Sequence, residues 1–248
     1  MRRIIDAKRS VIVAADVADI ESLKQLIAST IEVPGIGGYK LGIELGLGGL
    51  GEAATVIHKM SEGVGRHIAV IYDHQKAGND IPPMGDKFAL KLRDSGIDAA
   101  ILFPFAGPAT QKRWTEACVK VGLDVITGGV MTHDEFLVSE GGYISDDAPE
   151  RIYRLATELG VRHFVVPGTK IHWVEKINKL LDELIGSDQY VLYAPGFIDQ
   201  GGDISVCGNA AGEEWHAIVG TAIYGKGELN SPDEMRKAAE IVTKQIAA

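Results

Sequence analysis

Cysteine is almost missing from this chain. Cys118 and Cys207 are the only two in 248 residues, so neither a disulfide framework nor a cysteine-based zinc site is indicated. Long apolar runs are missing too. None approaches the roughly 18 residues needed to cross a bilayer. The apolar segment from Val11 is cut by Asp16, too early for a signal peptide. Positive charge is in deficit, with 25 Lys and Arg against 34 Asp and Glu, a net charge of −9. That balance argues against nucleic-acid or anionic-membrane partners but allows a local cationic pocket. No stretch rich in Pro, Ser or charge divides the chain, which reads as a single domain over residues 1–248 in a reducing, cytoplasmic setting.

What is present is ordinary globular composition, 46% hydrophobic and 24% charged, with an excess of glycine at 30 residues. Such an excess points to many tight turns or to close approach of backbone to a ligand. Short β-branched runs alternate with amphipathic segments along the whole length. The runs are Val11–Ala15, Tyr39–Leu41, His67–Tyr72, Ala99–Phe103, Asp124–Thr127, His163–Val166, Tyr190–Tyr193 and Ala217–Val219. Helical patterns separate them, at Ile20–Ser29, Leu50–Met60, Gly85–Asp94, Ala109–Val121, Pro149–Leu159 and His172–Ile185. A last one covers Pro232–Ile246, where Ser231 supplies a cap and Asp233 and Glu234 sit at the positive end of the dipole. Eight strand–helix units favour an α/β fold of the (β/α)8 TIM-barrel type over an open doubly wound sheet. The seventh unit is the weakest, because Asp203–Glu214 carries little helical pattern.

In such a barrel, chemistry belongs at the C-terminal ends of the strands. That rule selects Asp16, Lys40, Asp73, the Met131-Thr132-His133 loop, Pro195–Asp203 and Gly220-Thr221. The apolar run Ile68–Tyr72 ends abruptly in Asp73, followed by Lys76 and Asp80. Buried charges are costly, so an alternating Lys/Asp array needs mutual compensation and a chemical purpose. Glycines after strands seven and eight fall where barrels bind phosphate through backbone N–H groups. His58, His67, His163 and His172 have no metal-ligand spacing and read as surface or satisfied core positions. Lys170, just after Pro167-Gly168-Thr169, reads as a solvated helix start rather than a residue facing the mouth, and Trp114, Trp173 and Trp215 as packing residues.

Five segments, in order, resemble the orotidine 5′-monophosphate decarboxylase family. Val13-Ala14-Ala15-Asp16 resembles its first-strand aspartate and Tyr39-Lys40-Leu41-Gly42 its second-strand lysine. Asp73, Lys76 and Asp80-Ile81-Pro82 resemble its Asp-x-Lys-x-x-Asp-Ile-Pro signature, and Met131-Thr132-His133 the segment that reads the pyrimidine edge. Pro195-Gly196 with Gln200-Gly201-Gly202-Asp203 is similar to its phosphate loop, and Ile218-Val219-Gly220 with Ala222-Ile223-Tyr224 to its final strand.

The resemblance implies decarboxylation of orotidine 5′-monophosphate to uridine 5′-monophosphate with no metal or organic cofactor. Lys40, Asp73, Lys76 and Asp80 would be catalytic, with Lys76 the proton donor and Asp80 supplied across a homodimer interface. Asp16, Thr132, Pro195, Gln200, Gly201, Gly202, Gly220 and Thr221 would bind the nucleotide.

Three departures stand out. Two residues separate Asp73 from Lys76 and three separate Lys76 from Asp80, one more in each gap than the family has. Thr221 stands where the family has a phosphate-gripping arginine, leaving Lys226 as the nearest cation to replace it. Met84 takes the place of a polar residue. Two rivals remain. One is a Mg-dependent sugar-phosphate lyase on the same barrel, disfavoured because Lys40 would repel the metal, though Glu44 is close by. The other is an inactive nucleotide-binding barrel.

Overall fold

The computed structural model describes residues 2–74, 79–197 and 201–247. Eight parallel strands close into a barrel in sequence order: β1 (Arg9–Ala15), β2 (Ile36–Leu41), β3 (Ala69–Asp73), β4 (Ala99–Leu102), β5 (Asp124–Gly128), β6 (His163–Val165), β7 (Val191–Pro195) and β8 (Trp215–Val219). β8 pairs back onto β1, from Arg9 opposite Trp215 to Val13 opposite Val219. The helices are α1 (Ile20–Thr30), α2 (Ile43–Val64), α3 (Met84–Asp94), α4 (Pro108–Lys120), α5 (Ala148–Glu158), α6 (Ile171–Ile185), α7 (Ile204–Ala211), α8 (Thr221–Tyr224) and α9 (Pro232–Ala247). No helix among the described residues is long and apolar enough to cross a membrane.

Local chemistry accounts for the helix ends. Asp19 caps α1 by accepting from the Ser22 N–H at 2.8 Å. Ser231 caps α9 as the sequence predicts, and Glu234 bonds back to it to complete a reciprocal capping box. One expectation needs correction. Ala222-Ile223-Tyr224 is a turn of helix, not strand, because β8 stops at Val219 and Gly220 redirects the chain. The weakly patterned seventh unit does hold a helix. Asp203 caps α7 by accepting from the Val206 N–H at 2.9 Å, and only Ile204, Cys207 and Ala211 turn inward, too few for a periodic signal. α2 also begins seven residues before Leu50, where the predicted pattern starts. Its first turns are glycine-rich, and it breaks at Gly49, whose φ of +146° only glycine adopts readily.

Strand alternation sorts the core into two shells. Val11, Val13, Tyr39, Leu41, Val70 and Ala100 face the helices. Ile12, Ala14, Ala69, Ile71, Ala99, Ile101, Ile126 and Val165 fill the barrel. Ile4 and Ile5 join that inner shell from the segment before β1, so the bottom of the barrel is plugged by the chain's first residues.

Beside the plug lies a buried polar cluster. The His163 Nε2–H donates to the Arg2 carbonyl at 3.1 Å, leaving Nδ1 to accept from the Tyr193 hydroxyl at 3.1 Å. The Ser10 hydroxyl meets His216 Nδ1 at 2.8 Å. Burial pushes the His163 imidazole down to about 4; burial, with help from His163 and Arg3, pushes that of His216 down to about 3. Both stay neutral when folded, whereas the unfolded chain protonates them below about 6.5. Between pH 6.5 and 4 the unfolded state therefore binds more protons, and stability falls with pH by about 1.4 kcal/mol per unit for each histidine. Denaturant titrations from pH 7 to 4.5 should show that slope, and His163→Gln should roughly halve it. A slope beginning only below pH 4.5 would assign acid sensitivity to carboxylates instead.

Candidate active site

The inward positions of the first three strands run Ile12-Ala14-Asp16, Gly38-Lys40-Gly42 and Ala69-Ile71-Asp73. Pairing places Lys40 between Ala14 and Ile71, in one layer of the barrel. Small and aliphatic residues thus give way to charge at the C-terminal ends of the strands, and Lys40 reaches both carboxylates. Lys40 Nζ donates to Asp73 Oδ2 at 2.8 Å and to the two Asp16 carboxylate oxygens at 3.1 and 3.2 Å. Side-chain exposure is 6% for Lys40, 1% for Asp73 and 31% for Asp16, so water screens little of the inner pair. Burial alone would lower the Lys40 ammonium's pKa, but Asp73 and Asp16 outweigh it and hold the group above its usual range. Lys40 is a fixed cation.

Above this array opens a cavity of about 590 Å3 at the C-terminal ends of the strands. Asp16, Lys40 and Asp73 form its charged floor; Ile101, Phe103, Met131, Val165 and Ile218 give it an apolar wall. Thr132, Pro195, Gly220 and Thr221 line it as well. So do Glu44 and Tyr224. The Tyr224 phenol is pushed up to about 12, by burial first and then by Asp16, so it remains a neutral donor.

Other predicted residues lie elsewhere. Gly201 and Gly202 belong to the β7–α7 loop but not to the cavity lining among the described residues. The Gly202 N–H donates to the Gly196 carbonyl at 3.1 Å, and a Cβ at 202 would stand 2.6 Å from that oxygen, so glycine is what lets the loop close. Asp80 is exposed and borders a separate cavity with Leu47, Tyr72, His74 and Met84. Lys226 is exposed and outside the lining. Lys76 and Gln200 fall outside the described residues, and with them the stretched spacing of the signature.

Lys170 is not a solvated helix start. Its Nζ reaches the Glu140 carboxylate at 2.8 and 3.0 Å and the His133 carbonyl at 3.0 Å, while the Thr169 hydroxyl donates to the Thr132 carbonyl at 3.3 Å. The end of β6 thereby ties down the loop that presents Met131 and Thr132. The Lys170 hydrogen bonds also hold the Glu140 carboxyl below its ordinary range. No sequence pattern links Glu140 to Lys170 thirty residues on. Tyr224 and Glu44 had a usable signal, since each follows a strand end within a few residues. His58, His67 and His163 bear out their ordinary readings: a hydrogen bond to the Gly96 carbonyl, a 3.7 Å pair with Asp98, and a satisfied core position. Among the described residues, no three His, Cys, Asp or Glu side chains are grouped to hold a metal.

A closed parallel barrel with a concave, charged mouth at its strand C-termini is a (β/α)8 barrel of the enzyme type. No protein-family model matches the chain. Two curated relatives, orotidine 5′-phosphate decarboxylases of Methanosarcina barkeri and Methanosarcina mazei, do. The first is 30% identical over 249 residues, covering 98% of this chain and 97% of the relative. The second is 32% identical over 186 residues, 74% of each. The chain belongs to the orotidine 5′-phosphate decarboxylase family. Solved structures share its fold. The orotidine 5′-monophosphate decarboxylase of Methanocaldococcus jannaschii complexed with inhibitor BMP superposes with a TM-score of 0.75 at 22% identity, over 97% of this chain and 99% of that one. The orotidine 5′-phosphate decarboxylase of Pyrococcus horikoshii gives 0.70 at 24% identity, over 96% and 99%.

Proposed function

We propose that this protein decarboxylates orotidine 5′-monophosphate to uridine 5′-monophosphate in pyrimidine biosynthesis, using the Lys/Asp array and neither metal nor organic cofactor. The observation that carries the reading is Lys40 held between Asp16 and Asp73 on the floor of a nucleotide-sized cavity, in a chain of this family.

Loss of CO2 breaks a carbon–carbon bond and leaves its electron pair on a ring carbon that delocalises it poorly. A nearby ammonium stabilises that charge and then supplies the proton. Lys76 takes this role, with Lys40 fixing the position and charge of Asp73. Asp73 faces the departing carboxylate, and Asp16 accepts from a ribose hydroxyl. Thr132 meets the pyrimidine edge. Backbone N–H groups around Gln200–Gly202 and Gly220-Thr221, with the Thr221 hydroxyl, hold the phosphate, and Lys226 adds a cation to it.

The test is direct. Purified protein should consume the orotidine chromophore in a spectrophotometric assay, at an unchanged rate after exhaustive chelation. Glu44 at the mouth gives the chelation arm its point. Activity lost to EDTA and restored by Mg2+ would move the assignment to the sugar-phosphate lyases.

The active form is a homodimer in which Asp80 serves the partner's site. Leu47 (85% exposed) borders the same cavity as Asp80, and Ile81 (63% exposed) follows it, an apolar surface suited to a second copy. An equal mixture of Asp80→Asn and Lys76→Ala variants should then recover about a quarter of wild-type activity, because half the dimers are mixed and each holds one intact site. No recovery after proven subunit exchange would place Asp80 in its own subunit's site.

A further inference from the structure

Gly42 is the next inward position after Lys40, and its backbone gives no reason for glycine. Its φ of −94° and ψ of −165° are open to any residue. Space is the reason. A Cβ at position 42 would stand 2.0 Å from Asp16 Oδ1, 3.3 Å from Asp16 Cγ and 3.8 Å from Lys40 Nζ. Real Cβ atoms essentially never approach within 3.0 Å, so the carboxylate would have to retreat by at least 1 Å. Oδ1 is the far end of a side chain, so the carboxylate is what gives way, and a retreat of that size away from Lys40 breaks its 3.1 and 3.2 Å contacts.

We infer that Gly42 is a positioning residue, whose missing side chain leaves the space in which the Asp16 carboxylate reaches Lys40. The inference rests on the proposed reaction for its kinetic readout only. The array's outer acid is 31% exposed, against 1% for Asp73. Gly42 supplies its space from the position just after β2, the strand that carries the lysine. A misplacement of about 1 Å at such a group lowers rate about a hundredfold.

The experiment is a double-mutant cycle of Gly42→Ala with Asp16→Ala, read by kcat/KM on orotidine 5′-monophosphate and by denaturant midpoint. Gly42→Ala should lower kcat/KM about a hundredfold in the wild-type background and change it less than about twofold in the Asp16→Ala background. Its midpoint shift should likewise vanish when Asp16 is absent. Gly63→Ala, on an open face of α2 with nothing within 4 Å of the added Cβ, is the control and should leave activity unchanged. Equal losses in both backgrounds would mean that Gly42 serves the backbone or the start of α2, and would overturn the inference. If Gly42→Ala alone does not fold, the double variant should; failure of both overturns it as well. If the wild-type protein has no decarboxylase activity, the proposed reaction falls while the midpoint arm still decides the role of Gly42.

Discussion

Replacing Lys40 with alanine is expected to cost about 3–5 kcal/mol of stability and to abolish turnover. The ammonium is the only described positive charge in contact with both Asp16 and Asp73, and Asp73 is 1% exposed. Its removal takes away the cation that both acids share, and almost no water reaches the Asp73 carboxylate. Losing that cation disfavours the charged form of the two carboxyls in the folded variant. Protons are then bound more tightly by the folded state, and the deficit should shrink as pH falls toward 4–5 and grow again above it. A Lys40→Met, Asp73→Leu double variant should be more stable than Lys40→Ala, since it removes the charge as well as its partner. Urea titrations of the three proteins at pH 5 and pH 8 would decide this. A Lys40→Ala variant within about 1 kcal/mol of wild type at pH 8 would mean that water reaches the array freely.

Lys76→Ala is expected to lower kcat by at least about 10²–10⁴-fold while product-nucleotide affinity changes little, because a proton donor acts chiefly in the transition state. Binding of uridine 5′-monophosphate by calorimetry and turnover by absorbance separate the two quantities. Near-wild-type kcat would show that the stretched Asp73–Lys76–Asp80 signature has been assigned to the wrong lysine, and Lys40 would become the donor to test.

Much of the site was legible because strands have a period of two. Asp16 and Asp73 each end an inward series of small or aliphatic residues and Lys40 interrupts one, so strand pattern and barrel rule together place them at one mouth. What escaped the pattern was geometry that depends on other elements. Gly42 reads as one glycine among 30 until the Asp16 carboxylate is seen beside it. Lys170 reads as a helix start because Glu140, its partner, comes from a different loop. Asp80 lies close to Asp73 in sequence, yet it borders another cavity. At α7 the eight-residue helix is too short for periodicity, and its start is legible only from the Asp203 cap.

The pairing of β8 with β1 sets a schedule for synthesis. Arg9 pairs with Trp215, 206 residues later. At the usual pace of translation the edge of β1 waits roughly 10–40 s for its neighbour to emerge. Throughout that interval a strand carrying Val11, Ile12 and Val13 is open on one side. Ile4 and Ile5 have no closed barrel to plug, and Asp16 and Lys40 face a mouth that lacks the Gly220-Thr221 wall. The first strand made is thus the last to be sealed, and nascent chains arrested before β8 should be the species that chaperones retain.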